Sequence, residues 1–175
     1  MPMTVEELRG TIREVPDFPK PGILFYDITT LLANPEALTS AVDLLAERVS
    51  ARGARGVVAI ESRGFIFGAP VAMKLGLPLQ LVRKPGKLPY RTVSMAYDLE
   101  YGTDTVTMHV DAVEEGVPYA IVDDLLATGG TASATAQLVE KQGGRVACCC
   151  FVIELGFLAG ASKLGGRAVD SLIHY

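Results

Sequence analysis

Short apolar runs alternate with amphipathic stretches along most of the chain, and this pattern carries the first reading of its fold. VVAI at 57–60 reads as a buried strand, 64–75 as a helix and LQLV at 79–82 as the next strand. The theme recurs with YAIV at 119–122, a helix over 132–142 and an apolar strand over 146–153. Asn34-Pro35 opens the clearest amphipathic helix, to about Arg52, with Leu38, Val42, Leu45 and Val49 on one stripe. Residues 91–97 and 105–110 alternate in type and predict an antiparallel pair. Thr4-Val-Glu-Glu7 is a capping-box pattern that predicts a short helix to about Glu14. Pro16, Pro19, Pro21 and Gly22 then predict an irregular segment through Tyr26. A short helix over 159–164 and a strand over 168–173 close the series. Apolar strands alternating with helices predict an α/β fold, a central mostly parallel sheet flanked by helices. Ligands in such sheets sit beyond the carboxyl ends of the strands. The loops leaving 57–60, 79–82 and 119–122 are therefore expected to share one rim.

Composition narrows this picture without changing it. At 175 residues, 49% hydrophobic and 21% charged, the chain fits one ordered domain over 1–175, with about 1–33 as an N-terminal segment and about 34–175 as the core. A net charge of −4 argues against non-specific nucleic-acid binding. No apolar run approaches a membrane span and MPMTVEELRG has no signal-peptide pattern, so a cytoplasmic protein is expected. Cys148, Cys149 and Cys150 are consecutive in a strand; alternate side chains face opposite ways, so they are expected not to converge on a metal but to serve as core.

The most informative stretch is 120–131, AIVDDLLATGGT. An apolar strand runs into Asp123 and Asp124, and after three apolar residues comes Thr128-Gly129-Gly130-Thr131 at a helix start. Unpaired N–H groups and the helix dipole make that start an anion cradle, and Thr128 and Thr131 add hydroxyls. The carboxylates repel phosphate but accept from sugar hydroxyls. A phosphorylated sugar satisfies all of these groups. The loop has neither GxGxxG nor GxxxxGK[ST], so it is neither a dinucleotide fingerprint nor a P-loop.

VDDLLATGGT resembles the phosphoribosyl-pyrophosphate (PRPP) motif of type I phosphoribosyltransferases, and four further blocks resemble the adenine phosphoribosyltransferase family. They are FPKPGILFYDITTLL (18–32), ESRGFIFGAP (61–70), VRKPGKLP (82–89) and YDLEYGTD (97–104). The resemblance implies a small N-terminal base hood, a β-hairpin flexible loop, and conversion of adenine and PRPP to AMP and pyrophosphate in purine salvage. Ala127, Thr128, Gly129, Gly130 and Thr131 are then expected to hold the 5′-phosphate, and Asp123 and Asp124 to orient the ribose hydroxyls. Glu61, Ser62, Arg63, Arg83, Lys84 and Lys87 are expected around the pyrophosphate, with the Arg83–Lys87 loop reaching a neighbouring subunit in a homodimer. Mg²⁺ is expected as cofactor, carried mainly by substrate oxygens. Glu100, with Arg63, is the expected catalytic group. Phe25 is expected to stack on adenine, with Arg63 also near the base and the main chain of Leu24 and Tyr26 reading its edge. Family members often carry Arg where this chain has Tyr26. Two alternatives stay open: a transferase for another base, and a regulator that binds PRPP without turning it over. Retention of Glu100, Arg63 and the basic loop speaks against the second.

Overall fold

The capping box forms as the sequence predicts: the Glu7 N–H donates to the Thr4 hydroxyl at 3.3 Å, and the Glu7 carboxylate accepts from the Thr4 N–H at 2.7 Å. The helix it starts, α1 (Val5–Arg9), is shorter than expected. Its amides run out into a turn, with Thr11 and Ile12 N–H bonded to the carbonyls of Leu8 and Arg9. Residues expected as its last turn form β1 (Arg13–Pro16) instead, antiparallel to β2 (Leu24–Asp27), with Glu14 opposite Tyr26. A cross-strand partner thus outweighs the local helical pattern, and Leu24–Tyr26 belong to a strand rather than to an irregular stretch. Asp27 accepts from the Thr29 N–H (2.9 Å) and hydroxyl (2.8 Å) and pairs with Arg13, starting α2 (Thr29–Leu32). In α3 (Pro35–Ala51) the Asn34 side chain caps the Glu36 and Ala37 amides.

The structure is a computed structural model describing residues 2–99 and 101–175; Met1 and Glu100, the expected proton-handling residue, lie outside the described residues. The chain divides into two compact units, Met1–Leu44 and Leu45–Tyr175. The elements above make up the first, with α3 continuing into the second.

The second unit contains β3 (Gly56–Ile60), α4 (Gly64–Leu75), β4 (Leu79–Val82), β5 (Thr92–Asp98) and β6 (Thr103–His109). It continues with β7 (Pro118–Leu126), α5 (Gly130–Lys141), β8 (Arg145–Glu154), two 3-10 turns (Gly156–Leu158 and Gly160–Leu164) and β9 (Val169–His174). Five strands form a parallel sheet in the order β4-β3-β7-β8-β9. Every residue of β3 is buried, as a strand covered on both faces requires. Successive strands build outward in opposite directions from the β3–β7 pair, so the crevice at their carboxyl ends is the topological switch point. β7 runs further than its apolar core suggests: Asp123 and Asp124 lie inside the strand rather than on the loop after it.

β5 and β6 pair separately from Thr92↔His109 to Asp98↔Thr103. Tyr97 falls in β5 as the 91–97 pattern predicts, and the strand runs one residue further, to Asp98. A bridge between Arg83 and Thr107 ties the loop after β4 to β6.

The cysteines correct one expectation. Cys149 faces the α5 side of the sheet with Leu138 and Phe151, but Cys148 and Cys150, two apart on β8, share the other face. Their sulfurs and an Asp170 carboxylate oxygen lie within 4.8 Å of one another. Both Asp170 oxygens accept from Arg52 (2.8 and 3.2 Å); burial pushes the Cys149 thiol up to about 12, and the hydrogen bond to Cys148, then burial, pushes Cys150 higher still. Buried thiols beside an engaged carboxylate act as core.

Candidate active site

Three segments meet at the switch point. The turn after β3 carries Glu61, Ser62 and Arg63, with a cis Glu61–Ser62 peptide. The loop after β4 carries Arg83 and Lys84, and β7 carries Asp123 and Asp124. Together with Ala127 and Thr131 they line a cavity of about 360 Å³. A second hollow of about 90 Å³ is walled by residues 127–132 and shares Asp123, Ala127 and Thr131 with the first. The sequence-expected phosphate cradle and basic loop are thus adjacent.

The cradle owes its shape to two glycines. Gly129, at φ +82°, caps α5 in the left-handed region that a side chain disfavours. A Cβ there would run into the Gly160 carbonyl, and one on Gly160 into the Ala127 carbonyl. The 3-10 turn starting at Gly160 therefore supports the loop of residues 127–130 from behind. The sequence offers no periodic signal for this contact.

The carboxylates differ. Asp124 is buried and accepts from Arg63 Nε at 2.5 Å, which anchors a guanidinium that is itself half exposed. Asp123 is half-buried, and its Oδ1 accepts from the Asp124 N–H (2.8 Å). Burial first, then the adjacent Asp124 charge, pushes the Asp123 carboxyl well above the usual carboxylate range. Of the pair, Asp123 carries no side-chain ion pair among the described residues and faces both hollows.

Glu61 organises the basic loop. Its oxygens accept from the Lys84 N–H (2.7 Å) and from Arg83 Nη2 (3.0 Å), which hold it below the usual carboxylate range despite burial. Among the described residues Arg83 Nε is buried with no partner, a donor left over beside the cavity. The Lys84 ammonium meets Asp104 and donates to the Tyr97 hydroxyl (3.3 Å). Tyr97 and Asp104 were not among the expected site residues. They face each other across β5 and β6, a pairing readable only once the hairpin register is known. Lys87 is exposed and outside the cavity lining; its carbonyl accepts from Arg83 Nη1.

In the first unit, Phe25 packs edge-on against Phe18, with centroids 5.1 Å apart, and Leu24 is 40% exposed. Leu24 and Tyr26 are two apart on β2, so their backbone groups point the same way.

A parallel sheet, a candidate phosphate cradle at a helix start and two strand acids at the switch point are what a phosphoribosyl transferase requires, and comparison with known proteins agrees. Residues 27–163 match the model of the phosphoribosyl transferase domain, and the chain belongs to that family. Within it, the adenine phosphoribosyltransferase of Maridesulfovibrio salexigens is 54% identical over 166 residues, covering 95% of this chain and 98% of its own. That of Desulfitobacterium hafniense is 58% identical over 164 residues, covering 94% and 95%. The crystal structure of adenine phosphoribosyltransferase from Thermoanaerobacter pseudethanolicus superposes with a TM-score of 0.94 at 51% identity, covering 98% of this chain and 100% of its own. The Saccharomyces cerevisiae enzyme, solved with an imino-altritol bisphosphate and adenine, gives 0.91 at 37% identity, covering 96% and 97%.

Proposed function

We propose that this phosphoribosyltransferase uses adenine: adenine and PRPP give AMP and pyrophosphate, a purine-salvage reaction. The observation that carries this is the shared wall of the two hollows, where Asp123 and Thr131 face both a phosphate-sized cradle and a cavity lined by Arg63, Arg83 and Lys84. One end of PRPP is a single phosphate and the other a pyrophosphate, with ribose hydroxyls between them. Backbone N–H groups of residues 127–131 take the 5′-phosphate, Asp123 and Asp124 the hydroxyls, and the basic side chains the pyrophosphate.

Adenine N9 attacks the anomeric carbon as the bond to pyrophosphate breaks, through an oxocarbenium-like state. The new bond joins N9 to C1′, and the N9 proton is lost. Glu100, which lies between β5 and β6 in sequence, handles protons on the base, and closure of the 97–102 segment excludes water. Leu24 and Tyr26 read the adenine edge through their main chain, Phe25 stacks on the ring, and Arg63 lies near base and pyrophosphate. Main-chain reading is consistent with Tyr26 replacing Arg.

The donor set suits Mg²⁺ arriving with its substrate. Asp124 is engaged by Arg63 and Asp123 resists ionisation, so the protein presents few hard oxygens for a resident ion. When bound with PRPP, Mg²⁺ would supply positive charge to the pyrophosphate beside Arg63, Arg83 and Lys84. We also place the protein in the cytoplasm as a homodimer, with the exposed Lys87 reaching a second subunit's site. Among the described residues, no helix is long and apolar enough to cross a membrane.

The test is a steady-state assay with PRPP, Mg²⁺ and adenine, guanine, hypoxanthine, xanthine or orotate, following nucleotide and pyrophosphate together. AMP from adenine alone is expected. Product from another base instead overturns the hood assignment and keeps the cradle.

A further inference from the structure

We propose that Asp104 and Tyr97 are positioning residues that aim the Lys84 ammonium into the cavity as a ligand for the pyrophosphate group. The claim rests on the reading of that cavity as a pyrophosphate site. An ammonium has three N–H donors. Asp104 Oδ2 takes one and the Tyr97 hydroxyl, 3.3 Å away, takes the second. The third is left for the cavity that Lys84 lines, and Tyr97 and Asp104 stand outside that lining.

The bonds fix each other's direction. Asp104 also accepts from the Thr105 N–H (2.7 Å). The Lys84 bond and that amide hold its carboxyl below the usual range, so it is an acceptor only. The Tyr97 proton therefore points to Asp104 (3.1 Å), and the phenol oxygen accepts from Lys84 and from the Thr131 hydroxyl (3.0 Å). One phenol thus touches the basic loop and the first turn of α5, where the phosphate cradle begins. The Tyr97 ring covers Gly130, where a Cβ would lie 3.0 Å from it. The Lys84 backbone is held separately by Glu61, so the two anchors on the side chain set only where its charge lies.

A bare competing anion would do the reverse. If Asp104 merely occupied Lys84 until substrate arrived, removing its charge would tighten anion binding; if it positions Lys84, removal weakens it.

The ammonium itself meets Asp104 and Tyr97, and the charged groups that share the cavity with Lys84 are Glu61, Arg63, Asp123 and Asp124, with Arg83 and Lys87 on its own loop. Burial pushes the ammonium down, and the bonds to Asp104 and Tyr97 overcome that and raise it. Without Asp104 the ammonium should lose its proton at lower pH.

The experiment compares wild type, Asp104→Asn and Tyr97→Phe by calorimetry with Mg-pyrophosphate, by kinetics with PRPP across pH, and by thermal unfolding. Expected are about tenfold weaker pyrophosphate binding in each variant, a rise in KM for PRPP larger than the fall in kcat, and an alkaline limb moved to lower pH in Asp104→Asn. Unchanged or tighter pyrophosphate binding in both variants overturns the proposal. Should Asp104→Asn unfold, Tyr97→Phe, which keeps the ring over Gly130, decides by the same calorimetry. Wild type that binds pyrophosphate but makes no AMP sinks the adenine reading alone, and the calorimetry still judges the role of Lys84.

Discussion

Asp123 illustrates how a single residue is held against its own preference. A carboxyl raised above its unfolded value keeps a proton that the unfolded chain has lost. Stability therefore falls as pH rises from the ordinary carboxylate range to the raised native value. Asp123→Asn removes that cost, so its melting temperature should match wild type in acid and exceed it by about 2–5 °C near neutral pH. The same variant should bind PRPP at least about tenfold more weakly, because the amide offers the ribose hydroxyls one acceptor oxygen where the carboxyl offers two. Equal melting curves at every pH would show that burial of Asp123 is not costly. Glu100→Gln should lower kcat about 100-fold while changing the KM for PRPP less; an unchanged kcat would remove Glu100 from the mechanism. The chemistry-bearing residues were legible one by one because phosphate, sugar hydroxyl and pyrophosphate each demand a particular residue type. Their pairings were not: Arg63 with Asp124, Glu61 with Arg83 and Asp104 with Lys84 join segments far apart in sequence.

At the scale of elements, the start of α5 is shaped as much by the turn at Gly160 as by its own glycines. Gly160→Ala should push that turn off the Ala127 carbonyl, cost about 1–3 kcal/mol by overpacking and weaken AMP binding about tenfold. Thermal unfolding and calorimetry report the two effects, and a loss of stability with intact AMP affinity would separate the turn from the cradle. The buried strands and α3, α4 and α5 were legible because apolar periodicity and end signals agree there. The N-terminal helix was overextended and β2 missed because the ribbon of β1 and β2 is held by pairing across a proline-rich connection. No local period reports such a pairing.

For the whole molecule, the expected sites fall in two compact units: base-reading residues in Met1–Leu44 and the phosphate and pyrophosphate groups in Leu45–Tyr175. AMP at about 100 times its Kd should add roughly 2.7 kcal/mol of stability and raise the melting temperature by about 5–10 °C. Hydrogen exchange can divide that effect. AMP should slow exchange in β2 and at residues 127–132, whereas ribose 5-phosphate should slow only the latter. Protection of β2 by ribose 5-phosphate as well would overturn assignment of the base to Leu24–Tyr26.

The sequence by itself determined the α/β class, and it singled out the candidate phosphate cradle and the acids and bases proposed around it. Periodicity, glycine placement and residue chemistry are local properties, and a parallel sheet gathers its carboxyl-end loops whatever the details. Only the tertiary structure decided which charge neutralises which, that Asp123 sits inside β7 where ionisation is disfavoured, and that Tyr97 joins the hairpin to the start of α5. Those outcomes depend on strand order, hairpin register and burial, which arise from contacts between segments that no single stretch of chain encodes.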